Sequence, residues 1–150
     1  MTDNMEAGPI VVGTDGSATA QRAVERAAAI AQALSAPIEI VTSYRSALGG
    51  WVASQGGLAI AVPTEEEIRA EAEVVLQRAQ RSLAGRGLTV GTHLCEGEPG
   101  DALMTIADDL GAQMIVVGNR GMTGTRRVLG SVPNRVSHHA ERAVLIVPTS

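Results

Sequence analysis

The feature that most constrains the fold is a regular alternation of short apolar, β-branched runs with longer segments of helical periodicity. Strand-like runs occupy residues 9–14, 36–44, 88–97, 112–119 and 142–148. Helix-like segments lie between them, at about residues 17–34, 64–84, 98–110 and 132–140. Five strands alternating with four helices predict an α/β fold, in which an open, mostly parallel sheet carries helices on both faces. A chain of 150 residues is expected to form one domain over 1–150.

Side chains that mark helix starts support these assignments. Ser17 is predicted to cap the first helix, Thr64 with Glu67 forms a capping-box pattern for the second, and Ser131 is predicted to cap the fourth. Helical spacing also predicts the buried faces of the first two helices. These predicted core positions are Ala20, Val24, Ala27, Ala31 and Leu34, and then Ile68, Val75, Ala79 and Leu83.

Composition excludes several classes of function. The formal net charge is −4, which argues against nucleic-acid binding. The sequence contains no lysine, so Walker A, pyridoxal and protein-kinase chemistry are excluded. A single cysteine, no signal-like start and no long apolar run predict a cytoplasmic protein without a membrane segment. Residues 1–8 are expected to be flexible, and 45–63, rich in glycine, to form a mobile loop.

Two strand ends carry the residues expected to hold a ligand. Open α/β sheets bind ligands at the carboxyl ends of their strands, where the strand order reverses. The first strand ends in Asp15 and the fourth in Gly118, so neighbouring strands would place both beside one crevice. Glycines, arginines and a helix start follow the fourth strand, and such groups favour an oxyanion. They are Gly118, Gly121, Gly124, Arg120, Arg126, Arg127 and Ser131. Tight turns and a solvated face are the alternative explanation.

Several stretches resemble the universal stress protein family. They are "IVVGTDGS", "EGEPGDAL", "ADDLGAQMIVVGNRG" and "LGSVPNRVSHHAERAVLIVP", which together span nearly the whole chain. The family's nucleotide-binding branch carries Gly, two residues, Gly, nine residues, then Gly and Ser or Thr. Gly118, Gly121, Gly130 and Ser131 match this pattern, except that eight residues separate Gly121 from Gly130.

The resemblance implies a Rossmann-like sheet, of the adenine nucleotide alpha-hydrolase type, with strand order 3-2-1-4-5. It places Asp15 near the adenine and ribose, the backbone near Thr42 and Ser43 against the adenine, and Ser131 on a phosphate. Loop chemistry and resemblance together give one set of cofactor-binding residues. The set is Gly13, Thr14, Asp15, Thr42, Ser43, Gly118, Asn119, Arg120, Gly121, Gly124, Arg127, Gly130, Ser131 and Val132.

The resemblance also implies an adenine-nucleotide-binding stress protein that forms a homodimer through its last strand, at Ala143 to Val147. ATP is the expected cofactor, with Mg²⁺ accompanying it in one version, and cyclic AMP or AMP is the alternative. No catalytic residue and no protein metal ligand is predicted. Three other functions stay open: a cyclic AMP-binding member, a slow ATPase or self-phosphorylating protein, and a dimeric stress protein that binds no nucleotide.

Overall fold

The structure is a computed structural model that describes residues 7–46, 62–119 and 129–148. Most of the two segments expected to be flexible, at 1–6 and 47–61, lies outside the described residues, as do 120–128. Within the described residues the predicted alternation is confirmed. The elements are β1 (Ile10–Gly13), α1 (Ala18–Leu34), β2 (Ile38–Tyr44), α2 (Glu65–Ser82), β3 (Val90–Glu96), α3 (Pro99–Asp109), β4 (Met114–Gly118), α4 (Ser131–His139) and β5 (Ala143–Val147).

The five strands form one sheet in the order β3-β2-β1-β4-β5, and every neighbouring pair is parallel. The predicted order is therefore confirmed. The chain builds outward from β1 to β3 on one side and then crosses back to place β4 and β5 on the other. The strand order consequently reverses between β1 and β4, and their carboxyl ends flank the switch point.

Both faces of the sheet are covered by helices, so consecutive residues of the central strand are all buried. Ile10 and Val12 pack in the core beneath α1 and α2, whereas Val11 packs in the core beneath α3 and α4. All three side chains have no exposed surface. This double burial explains why β1 is a continuous apolar run instead of an alternating one.

Alanines let α1 lie close to the sheet. Ser17 caps α1 as predicted, because its Oγ accepts the Ala20 N–H at 3.1 Å. Val24, Ala27 and Ala31 are fully buried. The prediction for Leu34 was wrong, since this side chain is 50% exposed. Leu34 is the last residue of α1, where the chain turns away through a left-handed residue, Ser35 at φ 52.

The capping box of α2 is confirmed in full. Glu67 N–H donates to Thr64 Oγ1 at 3.2 Å, and Thr64 N–H donates to the Glu67 carboxylate at 2.7 Å. The buried stripe of α2 differs from the prediction at its start: it contains Ala72 and Leu76, while Ile68 and Val75 are only partly buried.

Val75 has a different neighbour. A β-carbon built on Gly16 would lie 2.9 Å from Val75 Cγ2, so Val75 packs against the turn that follows β1 and not under the sheet. Gly16 has φ +81, a left-handed conformation that glycine adopts without strain.

In the part of the chain that the structure describes, no helix is both long enough and apolar enough to cross a bilayer.

Candidate functional site

A cavity of about 180 Å³ lies at the switch point, at the carboxyl ends of β1, β2 and β4. Its walls are mostly apolar, and its few polar groups come from the strand ends. The lining residues are Gly13, Thr14, Asp15, Ala20, Val41, Ser43, Pro99, Leu103, Val117, Gly118, Val132 and Pro133. Asp15 and Gly118 thus border one crevice, as the sequence predicted.

Hydrogen bonds fix the end of β1 against the end of β2. Thr14 N–H donates to the Val41 carbonyl at 3.0 Å, and the buried Thr42 hydroxyl donates to the Thr14 carbonyl at 2.8 Å. Asp15 then turns the chain, because its Oδ1 accepts the Ser17 N–H at 2.9 Å. Asp15 is exposed, so its second carboxylate oxygen remains available at the cavity edge.

Close packing against α3 shapes one wall. A β-carbon on Gly13 would lie 2.9 Å from Leu103 Cδ1, so glycine at this position lets the Leu103 side chain approach the strand. Leu103 is 2% exposed and Pro99 begins α3 beside it. Val132 and Pro133, from the first turn of α4, complete the wall on the other side. The hollow between them therefore has mostly apolar walls.

The start of α4 differs from its prediction. Ser131 does not cap this helix: the N-cap is Gly130, at φ −58 and ψ 165, and no side chain accepts a bond there. Ser131 is instead the first helical residue. The reason lies in the backbone, because Gly130 N–H donates to the Asn119 carbonyl at 3.1 Å and holds Gly130 in the extended conformation of an N-cap.

That bond also links the residue after β4 to the start of α4. Asn119 N–H donates to the Val147 carbonyl at 3.0 Å, so β4, β5 and the start of α4 share one hydrogen-bonded corner. The main-chain N–H groups of Ser131 and Val132 have no acceptor within the described residues. Two unpaired amides at the positive end of a helix dipole, beside a cavity, form a place for an anion.

A second contact holds α4 against α3. Arg135 binds Asp101 through two nitrogens, at 2.6 and 3.2 Å, and this bonded carboxylate raises the pKa of Arg135. The pair is about half exposed, so solvent screens the charges and the contribution of the pair to stability is small. Its geometric effect is greater, because both helices contribute a wall of the cavity.

The structure brings together six of the fourteen predicted binding residues as lining residues. They are Gly13, Thr14, Asp15, Ser43, Gly118 and Val132. Four more lie next to the cavity without lining it, namely Thr42, Asn119, Gly130 and Ser131. Arg120, Gly121, Gly124 and Arg127 lie outside the described residues, and their roles stay predictions.

Sequence reasoning missed six lining residues. They are Ala20, Val41, Pro99, Leu103, Val117 and Pro133. Position carried the signal for two of them, since Val41 and Val117 lie within strands whose ends were already assigned to the site. The other four come from the first two turns of helices, where an apolar residue resembles an ordinary core residue. Nothing in the sequence distinguishes an apolar residue that lines a cavity from one that packs in the core.

Other reactive groups lie away from the cavity. His93 Nε2 is 2.7 Å from a Glu39 carboxylate oxygen on the neighbouring strand. Burial raises the pKa of the Cys95 thiol, which makes this cysteine less reactive at neutral pH. Across residues 7–46, 62–119 and 129–148, no three His, Cys, Asp or Glu side chains are placed to hold a metal ion.

A parallel sheet with a hollow at its switch point and an uncapped helix at the rim is the arrangement in which α/β proteins bind ligands. Comparison with known proteins gives the family. The model of the universal stress protein family matches residues 7–148, and the chain belongs to this family. A universal stress protein of Mycobacterium tuberculosis is 35% identical over 147 residues, which span 94% of this chain and 96% of that protein.

Two solved structures of similar proteins contain a nucleotide. A universal stress protein in complex with cAMP is 34% identical, spans 95% of this chain and 98% of its own, and superposes with a TM-score of 0.71. The universal stress protein from Archaeoglobus fulgidus in complex with dAMP is 29% identical, spans 95% and 98% of the two chains, and gives a TM-score of 0.70.

Proposed function

We propose that the switch-point cavity binds an adenine nucleotide and that the protein is a homodimeric regulatory binding module of the stress response. The observation that carries this proposal is the division of the site into two parts. One part is an apolar hollow between α3 and the first turns of α1 and α4, and the other is the pair of amides at the start of α4 that have no acceptor among the described residues.

The size of the hollow favours the base as its occupant. Pockets that enclose a whole drug-sized ligand measure about 300–1,000 Å³. The cavity here is about 180 Å³, so it accommodates a base while the rest of the nucleotide extends over the rim. The free oxygen of Asp15 is an acceptor for a sugar hydroxyl, and the amides of Ser131 and Val132 are donors for a phosphate.

Similar proteins support the choice of ligand. The two nucleotide-containing structures described above hold cAMP and dAMP, which share an adenine base and a single phosphate. ATP, alone or with Mg²⁺, is the cofactor predicted from the sequence pattern. It belongs to the same chemical class and is tested beside them.

Calorimetric titration of the purified protein tests the proposal. Adenosine compounds that carry a phosphate should bind at micromolar to millimolar concentration, whereas guanosine monophosphate should bind at least about tenfold more weakly, equivalent to about 1.4 kcal/mol. Absence of heat and of thermal stabilisation with AMP, cyclic AMP and ATP would refute the proposed function.

A matched pair of variants tests the location of the site. Ala20→Leu adds three carbons inside the cavity, and Ala29→Leu makes the same change on the exposed side of the same helix. We expect Ala20→Leu to lower nucleotide affinity by about a hundredfold, since an occupied hollow cannot admit the base, and Ala29→Leu to leave it unchanged. Equal affinities of the two variants would place the site elsewhere.

The dimer proposal rests on the edge of the sheet. Within the described residues β5 pairs only with β4, so one side of its backbone lacks partners, and Val144, Leu145 and Ile146 remain partly exposed. Such an apolar edge favours pairing with a second copy. Sedimentation equilibrium should give twice the 15.5 kDa mass of the chain. A mass of one chain at all concentrations would refute the dimer.

A further inference from the structure

We propose that a second cleft, at the opposite end of the sheet from the switch-point cavity, binds a small zwitterion with an ammonium group, a carboxylate and an apolar side chain, the chemistry of a free aliphatic amino acid. The second cleft measures about 280 Å³ and lies between the last turns of α3 and α4 and the residues that lead into β5. Its floor is apolar and its rim is charged. Met104 and Ile115 form the floor, and Asp108, His139, Glu141 and Arg142 form the rim.

Arg142 is the anion-binding group of the second cleft. Its Nε donates to Asp108 Oδ1 at 3.1 Å, and its Nη1 donates to the carbonyl of the buried Ala112 at 2.7 Å, so two anchors hold the guanidinium in place. Its Nη2 has no acceptor among the described residues. A guanidinium that is already fixed loses little side-chain entropy when it donates to a carboxylate, and charge-assisted bonds of this kind are strong. The carboxylate of the ligand therefore lies at Nη2.

The surroundings of Arg142 favour a positive group beside that carboxylate. Glu141 is exposed, and its side chain has no hydrogen-bond or ion-pair partner among the described residues. Because α3 ends at Asp109 and α4 ends at His139, the negative ends of two helix dipoles lie beside the second cleft. Asp108 offsets the charge of Arg142, so Glu141 leaves the rim negative when His139 is neutral. An ammonium group next to Glu141 compensates this charge.

The floor of the second cleft supplies apolar contact. Ile115 is 1% exposed, and Met104 packs against the same core cluster beneath α3 and α4. A methionine side chain is flexible and adapts to the shape of a ligand. Pockets for drug-sized ligands measure about 300–1,000 Å³, so about 280 Å³ suits a smaller molecule. An aliphatic amino acid places its side chain on this floor while both charged groups stay at the rim.

The second cleft shares no lining residue with the switch-point cavity, so this inference does not depend on nucleotide binding. NMR titration of the full chain with L-leucine, isoamylamine and isocaproate tests it. Isoamylamine lacks the carboxylate of leucine, and isocaproate lacks the ammonium group. We expect leucine to bind with a dissociation constant of about 1–10 mM, and the other two compounds to bind at least about fivefold more weakly.

The position of the shifted resonances locates the site. Leucine should shift the Met104 methyl and the His139 imidazole, and should leave Leu103, in the wall of the switch-point cavity, unchanged. Absence of these shifts at about 50 mM leucine would overturn the inference and leave the proposed nucleotide function standing. Equal affinities for leucine and isoamylamine would also overturn it, because the carboxylate would then make no contact.

Two variants separate the two charged contacts. In Glu141→Gln the preference for leucine over isocaproate should fall below about twofold, whereas the preference over isoamylamine should persist. In Arg142→Gln the reverse is expected, with the preference over isoamylamine lost and that over isocaproate kept. Glu73→Gln and Arg78→Gln, on the exposed side of α2, are the matched controls and should keep both preferences. Equal losses for all three compounds in Glu141→Gln and Arg142→Gln would reveal a purely structural effect and overturn the inference.

Discussion

The helices on the two faces of the sheet begin in different ways. On one face, α1 and α2 begin beneath side-chain caps: Ser17 accepts the Ala20 N–H, and Thr64 and Glu67 bond reciprocally. On the other face, α3 and α4 begin without any side-chain cap. Both uncapped helices form walls of the cavity. Within the described residues, the donors at the start of α4 that lack a side-chain cap therefore lie beside the cavity.

Charge near the helix ends deepens the contrast. The first turn of α2 carries three glutamates, Glu65, Glu66 and Glu67, which compensate the positive end of its dipole. The first turn of α4 carries no acidic residue, and two histidines occupy its last turn. Within the described residues, the first turn of α4 thus has no acidic side chain of its own to compensate the helix dipole. A bound phosphate would supply the charge that Glu65–Glu67 supply in α2.

The largest expected effect comes from giving α4 the cap that it lacks. In Gly130→Asp a carboxylate would accept the Val132 N–H and place negative charge at the phosphate subsite. We expect nucleotide affinity to fall by at least about tenfold, or 1.4 kcal/mol, while the free energy of unfolding rises by about 0.5–1 kcal/mol.

Gly130→Ala is the matched control, because it adds a β-carbon without a cap. Calorimetric titration and urea denaturation of both variants measure the two effects. If Gly130→Ala weakens binding as much as Gly130→Asp, the loss comes from crowding, and the contrast between capped and uncapped helices does not explain the site.

A smaller effect is expected at a capped helix. Thr64→Ala removes one half of the capping box of α2 and should lower the free energy of unfolding by about 1 kcal/mol. Nucleotide affinity should not change, because Thr64 and Glu67 lie away from the cavity lining. Thr89→Ala, an exposed threonine before β3, serves as the control in urea denaturation. A loss of affinity in Thr64→Ala would link α2 to the site.

The smallest effect concerns the other end of α1. Ser35 ends this helix at φ 52, a left-handed conformation that costs a residue with a β-carbon about 1 kcal/mol. Ser35→Gly should therefore raise the free energy of unfolding by about 0.5–1 kcal/mol, whereas Ser35→Ala should not. Thermal or urea unfolding measures both. Equal stability of the glycine and alanine variants would show that the left-handed turn carries no strain.

Local signals with a distinct chemistry were sufficient to predict much of the fold. Thr64 and Glu67 occur three residues apart before an apolar stripe, and the structure contains both of their hydrogen bonds. The apolar run of β1 indicated burial on both faces, and Ile10, Val11 and Val12 have no exposed surface. Leu34 shows the limit, since a periodic pattern does not reveal where the covering sheet ends.

The site was predictable where glycines and polar residues follow strands, and less so elsewhere. Asp15 and Gly118 were assigned to one crevice because parallel strands end at the same edge. The identity of the α4 cap depended on whether Gly130 or Ser131 adopts an extended backbone. That choice is made by the long-range bond to Asn119, which no local pattern contains. Leu103 likewise required knowledge of which helix packs against Gly13.

The bond from Gly130 to Asn119 also has a consequence for how this site evolves. This bond fixes the position of the helix amides whatever the number of residues between Asn119 and Gly130. A chain with one residue fewer than the family spacing can form the same bond and present Ser131 and Val132 at the same rim. A change of chain length between Asn119 and Gly130 can therefore occur without moving the helix amides away from the cavity.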